Sequence, residues 1–203
     1  LVVYSVASSK NFLNSTIILC GVVLSFLFSS VVYFIFSISK PEDIHNIIMW
    51  LMGDLSSANT TTTWVAATFI IPGIAVLILF AEDLNILTLG DEKAFSLGVQ
   101  PKRLKRILFI TASVITGSAV AGSGVIGFVG IVIPHITRKL FESNHKLLIP
   151  WSALNGAIYL VLSDTLARVI IRPLELPVGV LTGIIGGLFF MFVLLKTDQR
   201  NEI

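Results

Sequence analysis

The sequence predicts an all-α membrane protein, a polytopic bundle of about six helices. Composition is the first observation behind that prediction. Of 203 residues, 55% are hydrophobic and only 13% charged, with a mean hydropathy of +0.92. Soluble domains carry charge on about a quarter of their residues, so this chain lacks the groups to cover a water-facing surface and lipid is its expected solvent. The second observation is that the apolar residues gather into six runs, none alternating polar with apolar residues as β-barrel spans do.

A helix needs roughly 20 apolar residues to cross the hydrocarbon core. Residues 15–38 form the first run and carry no charge. Residues 64–80 form the second, with Pro72 as an expected kink. Residues 107–122, rich in small side chains, form the third. Residues 125–136 follow almost at once and are few, which predicts a half-buried or steeply re-entrant helix. Residues 147–167 and 177–195 complete the set. Cys20, the single cysteine, excludes an intrachain disulfide and a cysteine metal cluster; its expected role is packing. Residues 1–7 read as the tail of a hydrophobic segment without an initiator Met or a basic leader region, so the expectation is a chain that has lost its N-terminal part.

Basic residues set the expected orientation. With the loop after Phe80 in the cytoplasm, that side holds Lys10, Lys93, Lys102, Arg103, Lys105, Arg106, Arg138, Lys139, Lys146, Lys196 and Arg200. Of the 14 basic residues only Lys40, Arg168 and Arg172 fall outside. The expected topology therefore has a cytoplasmic C-terminus in the inner membrane and residues 39–63 outside. Trp50 and Trp64 bracket that outer loop as interfacial anchors, and Trp151 marks the inner end of its span. Within the outer loop, the apolar stretch 44–52 before Gly53 predicts a short interfacial helix; an ordered loop with no partner is the alternative.

Residues 82–106 are the most informative stretch. Two short amphipathic helices, separated by Gly90 and Gly98, would show Leu87, Leu89, Ala94, Phe95 and Leu97 on one apolar face. About 25 residues is more than a connector needs, so the segment is expected either to dock a partner or to lie on anionic lipid through Lys102, Arg103, Lys105 and Arg106. Gly179, Gly183 and Gly187 recur every fourth residue and form a ridge that lets another helix approach closely; Ser113, Gly117 and Ala121 form a second. Gly124, Gly127 and Gly130 around Phe128, followed by Pro134, predict a flexible or broken helix. His135 near Arg138, with no second His or Cys nearby, reads as a capping or hydrogen-bonding residue rather than a metal ligand. Asp164 and Arg168 are four apart on one helix and form either a structural pair or part of a functional contact.

Three blocks carry a resemblance. Leu89-Gly90-Asp91-Glu92-Lys93-Ala94-Phe95-Ser96-Leu97-Gly98-Val99 is similar to the coupling loop of the binding-protein-dependent permeases for iron–siderophores, haem and vitamin B12, the FecCD or type II importer family. So are residues 122–138, reading Gly-Ser-Gly-Val-Ile-Gly-Phe-Val-Gly-Ile-Val-Ile-Pro-His-Ile-Thr-Arg, and Asp164-Thr165-Leu166-Ala167-Arg168 with the following Glu175-Leu176-Pro177-Val178-Gly179. The resemblance covers nearly the whole chain. It implies a single transmembrane permease domain over 1–203, with 81–106 as a cytoplasmic coupling loop that meets an ATPase through Leu89, Gly90, Ala94, Leu97 and Gly98. It also implies that Arg168, supported by Arg172, docks an acidic residue of an external substrate-binding protein. Asn14 and Ser15 stand where the family closes its cytoplasmic gate, and the Gly124–Gly130 region is expected to pack near the cytoplasmic side. Partners implied are a second permease copy in a homodimer, ATPase subunits, the binding protein and lipid. The chain itself needs no cofactor, since ATP and Mg belong to the ATPase.

Other classes fit less well. No phosphate loop, Gly-x-Ser-x-Gly or His-Glu-x-x-His motif occurs, so no enzymatic activity is expected here. An ion-coupled secondary transporter needs buried charge in several spans, and five of the six runs lack it. The small net charge of +2 and the absence of an aromatic-interleaved basic stripe give no footprint for nucleic acid.

Overall fold

In the computed structural model, residues 14–56, 58–141 and 144–198 are described, and every regular element among them is a helix. The chain clusters into two units, Leu1–Ile48 and Met49–Ile203.

In the first unit, α1 (Asn14–Ile38) has no acidic or basic residue in its terminal turns and is apolar on all sides. Phe26 and Phe34 stand exposed, as a helix bathed in lipid requires. Two of its serines bond within the helix: Ser25 Oγ donates to the Gly21 carbonyl at 2.8 Å and Ser30 Oγ to that of Phe26 at 2.9 Å. Next, α2 (Pro41–Leu51) opens on a proline, whose missing N–H has no helical partner to lose, and on Glu42 and Asp43 at the positive end of the helix dipole. The short helix expected in the outer loop is thus present, and the chain turns at Gly53 (φ +76°).

The second unit begins with the end of α2. In α3 (Thr60–Leu79), Asn59 and Thr62 form a reciprocal capping box and the helix runs on through Pro72. After Phe80 come α4 (Ala81–Leu87), α5 (Asp91–Ser96) and α6 (Pro101–Ser123), the last lying along α3. A turn leads to α7 (Val129–Phe141), α8 (His145–Ile170) and α9 (Val178–Asp198). Among the described residues four helices are long and apolar enough to cross a membrane: Ile18–Ile38, Thr60–Leu79, Pro101–Ser123 and His145–Ile170. α9 is apolar over Val178–Val193. The 13 residues of α7 reach only about 20 Å, short of a core of about 30 Å.

Several boundaries differ from the sequence reading, and two of the differences shape the site. α6 starts at Pro101, so the basic cluster belongs to its first two turns instead of preceding it. The short helix starts at Val129 rather than 125, because Gly124 (φ +69°) and Phe128 (φ +65°) leave the right-handed helical region.

Those residues build a backbone junction. The Asp54 N–H donates to the Ser123 carbonyl (3.0 Å), the Val125 N–H to that of Trp50 (3.3 Å) and the Gly179 N–H to that of Gly53 (3.3 Å). A Cβ on Gly124 would lie 2.0 Å from the Trp50 oxygen, and one on Gly179 2.1 Å from the Met52 oxygen. The chains approach to backbone distance, which only glycine permits. The expectation placed 124–130 on the same side as the basic cluster; in the structure the two lie at opposite ends of α6, whose 23 residues carry the chain about 34 Å, and the neighbours of 124–125 are residues 50–54.

Candidate functional site

Residues 81–106 fold as a unit with a core of their own. Ala94, Val99 and Leu104 are buried together, with Phe80, Ile86, Leu87 and Leu108 packed around them. Gly90 and Gly98, at φ +102° and +89°, make the turns on either side of α5; nothing crowds either Cα, so backbone conformation selects glycine here. The expected single apolar face is divided. Ala94 has no exposed surface, whereas Leu89, Phe95 and Leu97 are 55%, 69% and 60% exposed. Ala94 therefore holds the loop together from inside, because α5 rolls it toward Val99 and Leu104 and turns Phe95 outward.

Polar contacts fasten this unit to two helices. Lys105 Nζ pairs with Asp91 at 2.7 Å, joining α5 to α6. Asn85 of α4 reaches the start of α8: its Oδ1 accepts from the His145 N–H (2.9 Å) and lies 2.7 Å from His145 Nδ1, while its Nδ2 donates to Asn144 Oδ1 (2.9 Å). Lys146 Nζ pairs with Glu82 on the same side of α4. The ammonium holds the Glu82 carboxyl below its ordinary value, first by hydrogen bonding and then by charge. Sequence reasoning missed Asn85, Asn144, His145 and the pairing of Lys146 with Glu82, because no local pattern signals a contact between positions 60 residues apart.

Arg168 lies near the far end of α8, about 35 Å along the helix from His145. Its Nε donates to Asp164 Oδ2 at 2.8 Å, and Nη1 is 3.9 Å from Glu175 Oε2. The i,i+4 pair expected from spacing is formed, with 38% of the Arg168 side chain still exposed. Arg172 is exposed in the following turn. Among the described residues the glycine ridge on α9 is no shared helix seam: Gly179 meets the turn at Met52, Gly183 faces open space, and Gly187 only touches the Phe128 ring. The close approach is at Gly186, where a Cβ would lie 2.2 Å from that of Phe128. Gly117 and Ala121 line a groove of about 370 Å³ with Val65 and Phe69. His135 lies inside α7, not at its end, with its ring edge-on to Phe189 and Nε2 buried without a hydrogen-bond partner. No trio of His, Cys, Asp or Glu suited to a metal ion occurs among the described residues. Asn14 and Ser15 open α1, and their side chains lie outside the described residues.

The profile of the FecCD transport family matches residues 1–196. The chain belongs to that family. Among curated FecCD relatives it is 39% identical over 186 residues to the hemin transport system permease protein HmuU of Yersinia pestis, covering 92% of this chain and 56% of that one. It is 39% identical to the Fe(3+) dicitrate transport system permease protein FecD of Escherichia coli, covering 88% and 56%. With the cobalamin import system permease protein BtuC of Halobacterium salinarum it shares 37% identity, covering 98% and 53%. The chain thus spans a little over half the length of these relatives. A solved chain, described as an inward-facing conformation of a metal-chelate type ABC transporter, superposes with a TM-score of 0.86 at 32% identity, covering 96% of this chain and 63% of that one. The all-helical membrane bundle read from the sequence is therefore the family's permease fold.

Proposed function

We propose that this FecCD chain is part of the membrane-spanning permease of an ATP-binding-cassette importer, carrying a metal chelate delivered by a substrate-binding protein. Iron(III)–siderophore is the favoured cargo, with haem and vitamin B12 as alternatives, in keeping with the hemin, iron-citrate and cobalamin relatives. In the working transporter two permease copies lie side by side in the inner membrane, C-termini in the cytoplasm, with an ATPase subunit under each. The ATPases bind ATP and Mg and supply the energy.

The observation that carries this reading is the loop 81–106, a folded unit with its own core that leaves Leu89, Phe95 and Leu97 exposed. Apolar side chains on a rigid mount are the anchors a protein partner buries. ATP-driven closure of the ATPases moves the loop, and the attached α6 and α8 tilt with it to alternate access to the pore. Arg168, partly exposed at the other end of α8, offers a charge to an acidic group on the binding protein. Purification of the complete permease followed by identification of co-purifying proteins tests the reading. An ATPase of the cassette type and a binding protein are expected; a permease that transports without either overturns it.

A further inference from the structure

The first N–H groups of any α-helix lack partners inside the helix. In α8, Asn144 is the N-cap and accepts from the Lys146 N–H at 3.0 Å. The His145 N–H is taken by Asn85, a residue from another element, at 2.9 Å. The same carboxamide donates to Asn144 Oδ1 at 2.9 Å. One side chain of α4 thus uses its acceptor and its donor on two adjacent residues that begin α8. Apolar packing alone lets two helices roll over one another, because dispersion contacts are non-directional. A carboxamide bonded at both ends fixes the roll, since each bond weakens steeply off its axis. From this joint α8 continues through Pro150 without interruption to Asp164 and Arg168.

We infer that Asn85 is a positioning residue: by capping α8 from outside, it makes the loop 81–106 and α8 a single moving body. This rests on the reading of the loop as the ATPase-docking surface. Asn85 need not touch the ATPase; it sets the angle at which Leu89, Phe95 and Leu97 are presented when α8 tilts. Without it the docking face survives and slips against the helix that should drive it.

The experiment uses the complete transporter, with its ATPase and loaded binding protein, in lipid nanodiscs. It reads ATPase retention, stimulation of hydrolysis by the binding protein, and hydrogen exchange of the α4 amides. Asn85→Ala is expected to retain the ATPase, to lose about fivefold in stimulation, and to speed exchange in α4 but not in α6. Asn85→Asp keeps the acceptor for the His145 N–H but sets a carboxylate oxygen, with no proton to give, against Asn144 Oδ1, so it is expected to lose at least about twofold in stimulation. Unchanged stimulation and unchanged exchange in a folded Asn85→Ala protein overturn the inference. If Asn85→Ala does not fold, Asn85→Asp decides: it keeps the size of the side chain and only one of its two bonds, and stimulation equal to that of the parent overturns the inference. Phe95→Asp separates the two readings, because a variant that still retains the ATPase refutes docking whatever Asn85 does.

Discussion

Ala94 and Phe95 are adjacent in sequence and differ in environment, one with no exposed surface and the other 69% exposed. An arginine at 94 must place its charge among Val99, Leu104 and Phe80. Ala94→Arg is therefore expected to unfold the loop, at a cost above about 4 kcal/mol, and to lower the melting temperature of the purified permease. Phe95→Ser should change stability by no more than about 0.5 kcal/mol and reduce ATPase retention alone. A six-residue helix is too short for periodicity to tell these neighbours apart; the distinction comes from Val99 and Leu104, which arrive after the next turn. The α9 glycines divide for a similar reason. Spacing shows that Gly179, Gly183 and Gly187 share a face, but not that the turn at Met52 presses on the first while no described residue comes within 4 Å of a Cβ on the second. Gly179→Ala and Gly124→Ala should each destabilise by about 2–3 kcal/mol. Gly183→Ala should leave the melting temperature level or raise it, since alanine in a helix interior is favoured by about 0.5–1 kcal/mol.

At the level of elements, the long apolar runs were legible because membrane helices must satisfy every backbone group internally. Pro72 did not displace the boundaries of α3. The stretch 124–128 was not legible, because its structure is set by carbonyls at 50–53 rather than by its own pattern. The tie between α4 and α8 carries a pH signature. Glu82 has its carboxyl pKa lowered in the folded protein by Lys146, so the pair contributes fully above the unfolded value of about 4.3. That contribution fades as pH falls through the lower, folded value. Hydrogen exchange of the α4 amides should quicken below that range in the parent and lose this pH step in Glu82→Gln. Both partners are more than half exposed, so salt should weaken the effect.

For the molecule as a whole, the positive-inside pattern predicts that Ser96 faces the cytoplasm. Ser96→Cys is expected to react with an impermeant thiol reagent in inverted vesicles and not in intact cells; the reverse pattern refutes the orientation. Arg168 is occupied on one edge by Asp164 and retains 38% exposure. Arg168→Glu is expected to weaken binding-protein affinity by about 2–5 kcal/mol, more at low salt because exposed charges are screened beyond about 10 Å at 0.1 M. Asp164→Lys should not rescue it; reversing a carboxylate on the binding protein should. Titration of the binding protein across salt concentrations reads both effects. The junction at Gly53, Gly124 and Gly179 bears on something else, the order in which the chain is made. The Gly53 carbonyl receives its N–H from Gly179, which the ribosome adds only after α3 to α8 have been synthesised. Until α9 enters the bilayer, the outer turn lacks that partner and the start of α7 is braced from one side only. A late checkpoint in biogenesis is therefore expected. Nascent chains arrested before Val178 should insert with α3 and α6 in place yet remain open to protease around residue 53, and release of α9 should close that site in one step.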